Sequence, residues 1–293
     1  MMESDDLLKR VRRIEIKTRA LTDNIFAGGY HSAFKGRGMS FAEVREYQMG
    51  DDVRDLDWNV TARLNRPHVK VFEEERELTV MLLVDVSGSQ DFGTHQRSQR
   101  ELVAEIAATL AFSAIKNNDK IGLIFFSDHV EKFIPPQKGR KHILYLIREL
   151  LYFQPTSRRT DMAGAVEFMT KAMKRRCICF LMSDFINTGK NIYEPLLIAG
   201  RKHDMIAVRV YDKFQQDLPD VGFMKVMDAE TGHEVYLDTS SRKVRASHAK
   251  WWEDHVRNTD EILRKCHVDS VTMSTHGDYI RELMVLFTKR NKL

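Results

Sequence analysis

Asp85-Val86-Ser87-Gly88-Ser89 sets one carboxylate and two hydroxyls at alternate positions, directly after the apolar run Val80 to Val84. Such a run reads as a strand buried on both faces. In open α/β sheets ligands bind beyond the carboxyl ends of strands. An Asp and two Ser gathered there make an oxygen-rich spot suited to a hard cation. Two later places supply further oxygen. Thr160 lies in Arg158-Arg159-Thr160-Asp161-Met162, a loop before a helical pattern, and Asp184 ends a second apolar strand, Cys177 to Ser183. A plainer reading makes Asp85, Ser87 and Ser89 turn or helix-capping residues. The agreement of three separate loops favours the metal. A phosphatase with a strand-end nucleophile would want a second Asp two residues on, where Ser87 stands.

This constellation resembles the metal-ion-dependent adhesion site of von Willebrand factor A domains. The resemblance implies the ligands Asp85, Ser87, Ser89, Thr160 and Asp184. It also implies Mg²⁺ as the ion, with Mn²⁺ or Ca²⁺ as alternatives. The three hydroxyls would meet the metal, and the two Asp would bind it directly or through water. Mg²⁺ takes six ligands, so one position would stay open or water-filled. A Glu or Asp from a protein partner could complete the shell.

The elements that must position these residues follow from periodicity. From Leu78 onward strand and helix alternate, which argues a parallel sheet covered on both sides. Strands are expected at 79–85, 120–126, 130–134, 177–183, 205–211 and 268–273. The one at 130–134, stopped by Pro135-Pro136, suits an edge. Helices are expected at 97–117, 140–151, 162–174, 191–202, 243–266 and 278–289. Phe223 to Met227 and Glu234 to Leu237 read as a hairpin across Glu230-Thr231-Gly232. The expected fold is α/β, a doubly wound, mostly parallel six-stranded sheet with an N-terminal helix and a small β extension. Residues 1–77 would form the helix and extension, and 78–293 the main domain.

The chain has 293 residues, 43% hydrophobic and 30% charged, with net charge +4 from 46 basic and 42 acidic side chains. That balance fits a soluble globular protein and argues against nucleic acid as the main partner. No apolar run approaches the roughly 20 residues of a membrane span, and the N-terminus lacks signal-peptide shape. With Cys177, Cys179 and Cys266 free of metal-ligand spacing, reduced thiols and a cytoplasmic location are expected. Residues 4–22 read as a basic amphipathic helix. It is either a solvated face on a packed helix or a weaker candidate for binding nucleic acid or anionic lipid.

Phe41 to Asn59 is charge-dense and reads as an irregular surface extension held by Arg–carboxylate pairs, with Trp58 as a packed anchor. Pro67 to Glu73 reads as a short strand. Phe34-Lys35-Gly36-Arg37-Gly38, Val44-Arg45-Glu46-Tyr47, Gly50-Asp51-Asp52-Val53-Arg54, Asp57-Trp58, Thr61-Ala62-Arg63 and Phe72-Glu73-Glu74-Glu75-Arg76-Glu77 together resemble a bacterial family, "domain of unknown function fifty-eight". The resemblance implies a von Willebrand factor A-like fold and a MoxR-type AAA+ ATPase as partner, but no reaction.

For catalysis, Gln90, Asp91, His95, Arg158, Arg159 and Asp161 flank the expected site. No phosphate-cradling glycine loop and no Ser/His/Asp ordering accompanies them. The sequence therefore points to a non-enzymatic, metal-dependent interaction module that serves as adaptor for the ATPase. A Mg²⁺-dependent hydrolase at the same site is the alternative.

Overall fold

The computed structural model describes residues 39–74, 77–93, 97–187 and 191–290. The expected N-terminal helix at 4–22, the Gly28–Gly38 loops and His95 lie outside the described residues.

The centre of the molecule is a six-stranded sheet. In chain order its strands are β3 (Thr79–Asp85), β4 (Lys120–Phe126), β5 (Val130–Gln137), β6 (Ile178–Ser183), β7 (Asp204–Tyr211) and β10 (Asp269–Ser274). Their spatial order is β10-β7-β6-β3-β4-β5, parallel except for the antiparallel edge strand β5. Two smaller antiparallel pairs accompany it. One is β1 (Met39–Glu46) with β2 (His68–Glu74), and the other is β8 (Phe223–Met227) with β9 (Glu234–Asp238).

Alternation along the central strands sends side chains to two cores. Val80, Leu82 and Val84 of β3 face one core with Phe180 and Met182 of β6. That core is completed by helices α2 (Gln99–Lys116), α3 (Arg140–Tyr152) and α7 (Tyr279–Arg290). Met81 and Leu83 face the other core, with Cys179 and Leu181. There the cover is α4 (Met162–Ala172), α5 (Tyr193–Lys202) and α6 (Arg242–Lys265). Both faces of β3 and β6 are thus dry, which is why these strands read as unbroken apolar runs. The doubly wound α/β sheet expected from the sequence is the fold observed.

The main boundaries agree with the periodicity to within a residue or two, and three local expectations are corrected. Strand β5 continues through Pro135 and Pro136 to Gln137; the pairing slips between Ile121↔Gln137 and Leu123↔Ile134, so the ladder bulges around the two prolines. Phe41 to Asn59 is more regular than expected. It contributes β1 and opens α1 (Trp58–Leu64), a seven-residue helix capped by Asp57, which accepts from the amides of Asn59 and Val60. A helix this short has too few turns to show a periodic apolar face. Trp58 is not a packed anchor. It is the first residue of α1 and stays 68% exposed. The expected Arg–carboxylate pairs are present: Arg45 grips Asp51 through two 2.8 Å bonds, and Arg54 pairs with Asp52 at 2.9 Å.

Candidate functional site

Chain order reverses direction at β3. From β3 the sheet grows one way to β4 and β5, and then the chain returns to add β6 on the other side. This is the topological switch point, where loops from adjacent strands diverge and leave a crevice beyond the strand ends. Asp85 is the last residue of β3, and Asp184 follows the last residue of β6.

Local chemistry aims each residue. The Asp85 carboxylate accepts from the Ser87 amide at 2.9 Å and from the Ser183 hydroxyl at 2.6 Å. Ser87 and Ser89 lie with their hydroxyl oxygens 3.2 Å apart at the start of a short 3₁₀ turn, Gly88–Asp91. Phe185 has φ +57, a left-handed conformation that is an outlier for a bulky residue. Two bonds hold it there: its amide donates to the Ser183 hydroxyl at 3.1 Å, and its carbonyl accepts from His255 Nε2 at 2.7 Å. That turn directs Asp184 back toward the crevice.

The Thr160 loop is anchored from the β4–β5 turn. The Asp161 amide donates to the Ser127 carbonyl at 2.7 Å. Glu131, with its side chain 3% exposed, accepts from the Ser127 hydroxyl and from the amides of Thr156 and Ser157. Burial opposes its charge, but these hydrogen bonds prevail and hold the carboxyl below the usual range. The loop meets the first one where the Gly88 amide donates to the Arg158 carbonyl at 3.0 Å.

A fourth segment, expected from the sequence only as a hairpin turn, also reaches the arrangement. Thr160 Oγ1 donates to Glu230 Oε1 at 2.7 Å, and Glu230 sits in the turn of hairpin β8–β9. An acid of the chain itself thus stands beside Thr160. Sequence alone marked Glu230 only as a turn residue, and nothing in its spacing ties it to Thr160 seventy positions earlier.

Asp85 and Asp184 are both buried, 3% and 4% exposed. Burial and the Asp184 charge beside it push the Asp85 carboxyl up to about 7. Asp184 is also raised, by burial and by the Glu230 charge, against the opposing pull of the Ile186 amide, the Ser89 hydroxyl and His255. Asp184 Oδ2 is buried and has no hydrogen-bond partner among the described residues. A buried carboxylate oxygen left without a partner, next to a second buried carboxylate, is what a cation would satisfy.

Asp85, Ser87, Ser89 and Asp184 form one connected cluster, and Thr160 bonds Glu230, whose charge is felt at Asp184. Among the described residues no group of three or more His, Cys, Asp or Glu side chains gathers as a metal site. The donor set here instead mixes two carboxylates with three hydroxyls, a composition fitted to hard cations. Two of the flanking candidates have other work. Asp161 caps α4 through the Gly164 amide at 3.1 Å, and Asp91 lies 3.4 Å from Arg100. Ser183, Phe185, His255 and Glu230 were missed, since each acts through contacts made only after the sheet assembles.

Residues 43–258 match the family described as "Protein of unknown function DUF58". The chain belongs to this family. An uncharacterized protein of Mycobacterium tuberculosis is 28% identical over 295 residues, covering 99% of this chain and 92% of its own length. Among solved structures, the conserved hypothetical protein BatB from Bacteroides thetaiotaomicron superposes with a TM-score of 0.51 at 15% identity, over 74% of this chain and 100% of that one. An aerotolerance-related membrane protein from Bacteroides fragilis gives the same TM-score at 13% identity, over 73% of this chain and 98% of its own. At such identity these two likenesses concern the fold alone. No described helix of this family member is long and apolar enough to cross a membrane.

Proposed function

We propose that the chain is a metal-dependent protein–protein interaction module, with Asp85, Ser87, Ser89, Thr160 and Asp184 holding Mg²⁺ at the switch point. The observation that carries this reading is the pair of buried carboxylates, with Asp184 Oδ2 left without a partner among the described residues. When bound, the ion supplies a positive centre able to accept a carboxylate from a partner.

The chain's own residues do the rest. Asp85 and Asp184 provide the charge that selects a cation. The uncharged hydroxyls of Ser87, Ser89 and Thr160 add donors without neutralising it. Ser183 orients Asp85 by donating to Oδ2, and the strained Phe185 backbone fixes the approach of Asp184. With only one of the two Asp bound directly, the ion keeps net positive character and grips an acidic side chain by a charge-assisted contact, stronger than a neutral hydrogen bond. The family resemblance makes a MoxR-type AAA+ ATPase the partner class, with this chain as adaptor or co-chaperone in a cytoplasmic setting. The role is binding rather than catalysis.

The test is calorimetric titration of Mg²⁺ and Mn²⁺ into the wild-type chain and Asp85→Ala, followed by capture of the AAA+ ATPase with and without EDTA. Binding by wild type alone, with chelator-sensitive capture, is expected. Capture indifferent to EDTA sinks the metal-gated contact. Turnover of a phosphoester with Mg²⁺ would instead establish the hydrolase.

A further inference from the structure

Resting on that metal reading, we infer that Glu230 is the chain's own ligand at the coordination position meant for a partner, so hairpin β8–β9 closes the site until an acidic partner residue displaces it. Three independent features of the hairpin argue for this.

The first is a built turn. Asp228 Oδ1 accepts from the Glu230 and Thr231 amides, both at 2.9 Å, and Gly232 closes the reversal at φ +71. These bonds fix where residue 230 points. Its carboxylate reaches the Thr160 hydroxyl and is felt electrostatically at Asp184. A Thr hydroxyl can give a lone pair to a cation and its proton to Glu230 at the same time. The contact therefore suits a loaded site as well as an empty one.

The second is a seat. Gly88 lies between the two Ser ligands, and a Cβ at that position would stand 2.4 Å from the Ala229 carbonyl oxygen. The absence of a side chain there is what lets the hairpin turn press onto the metal loop.

The third is that the hairpin is attached mainly at its base. Thr239 is buried and clasps the foot, donating from its hydroxyl to the Gly222 carbonyl at 2.7 Å and accepting from the Val221 amide. Gly222 beside it has φ +79, a hinge conformation only glycine adopts freely. Beyond the foot, Phe223, Met227 and Tyr236 are 80%, 53% and 71% exposed, on a ribbon face that by register also carries Asp238 and the ion-paired Lys225 and Glu234. With so little burial elsewhere, the tip is held at Glu230 and where Ala229 packs on Gly88.

The test uses the full chain, Mn²⁺ as the probe and the variants Glu230→Ala and Glu230→Gln. Electron paramagnetic resonance in isotopically labelled water counts water molecules on the bound ion, and hydrogen exchange follows the amides of 223–238. Glu230→Ala is expected to carry one more bound water, to bind Mn²⁺ about tenfold more weakly, and to lose the metal-induced protection of the hairpin. Glu230→Gln, of the same size, is expected to follow the Ala variant in hairpin protection. Mn²⁺ binding with equal water counts and equal protection in wild type and Glu230→Ala overturns this inference while leaving the metal reading intact. No Mn²⁺ binding by wild type overturns both.

Discussion

Replacing Asp85 by Asn is expected to stabilise the metal-free chain while abolishing its response to Mg²⁺. Asp85 is 3% exposed, and its carboxyl is pushed up to about 7 by burial and by the Asp184 charge. A group whose folded pKa lies above its unfolded value contributes stability at low pH and loses it as pH rises through the folded value. At pH 8 the native state therefore bears the whole cost of ionising Asp85. A rise of about three units corresponds to about 4 kcal/mol. Asn is neutral at every pH and escapes this cost. Against it stands the weakening of the Ser87 amide and Ser183 hydroxyl bonds to Asp85, about 1–2 kcal/mol in all. The net gain is about 2–3 kcal/mol, which for a chain of this size raises the melting temperature by roughly 3–5 °C. Wild type should gain a comparable about 2.7 kcal/mol from Mg²⁺ at a hundred times its dissociation constant, and Asp85→Asn nothing. Differential scanning fluorimetry at pH 8, in EDTA and in Mg²⁺, reads all four values. An Asp85→Asn chain that melts at or below wild type in EDTA refutes the argument from buried like charges.

Other consequences follow from packing and charge. A Cβ on Gly200 would stand 2.1 Å from the Cys266 carbonyl oxygen, so Gly200→Ala should force α5 off the loop after α6 and cost about 1–3 kcal/mol of stability, read as a lower urea midpoint. Arg290, its side chain 1% exposed, bonds both oxygens of the buried Asp204 and also pairs with Asp269. Arg290→Met should cost about 3–5 kcal/mol by stranding the Asp204 charge, and adding Asp204→Leu should recover much of it; additive losses would show that the pair is not the cause. His203 is fully buried, and its Nδ1 accepts from the Cys177 amide at 3.3 Å. Burial, with Lys202 and Arg176 nearby, lowers its pKa to about 4. The unfolded chain then binds more protons between pH 6.5 and about 4, so up to about 3 kcal/mol of stability is lost as pH falls through that window. His203→Asn, which keeps an acceptor there, should flatten the pH dependence of unfolding; an unchanged slope would assign it to other groups.

The amino-acid sequence by itself determined the sheet and three of the loops that meet at its switch point. Two apolar runs, β3 and β6, could only be strands with both faces covered. The helical patterns between them left little choice but a parallel sheet wound both ways. Asp85, Ser87, Ser89, Thr160 and Asp184 were legible because each stands next to a strong local signal, either a strand end or a helix start. Tertiary structure decided what has no local signal. Trp58 looks like a core residue by type, but its place at the start of a seven-residue helix turns it to solvent. Phe185 accepts a left-handed backbone only because Ser183 and His255 hold it, and His255 lies seventy positions away. Glu230 reads as one more turn residue until hairpin β8–β9 folds over Gly88 and brings it to Thr160. Side-chain period and strand ends are written in neighbouring residues, whereas the contact that closes this site depends on how distant segments pack.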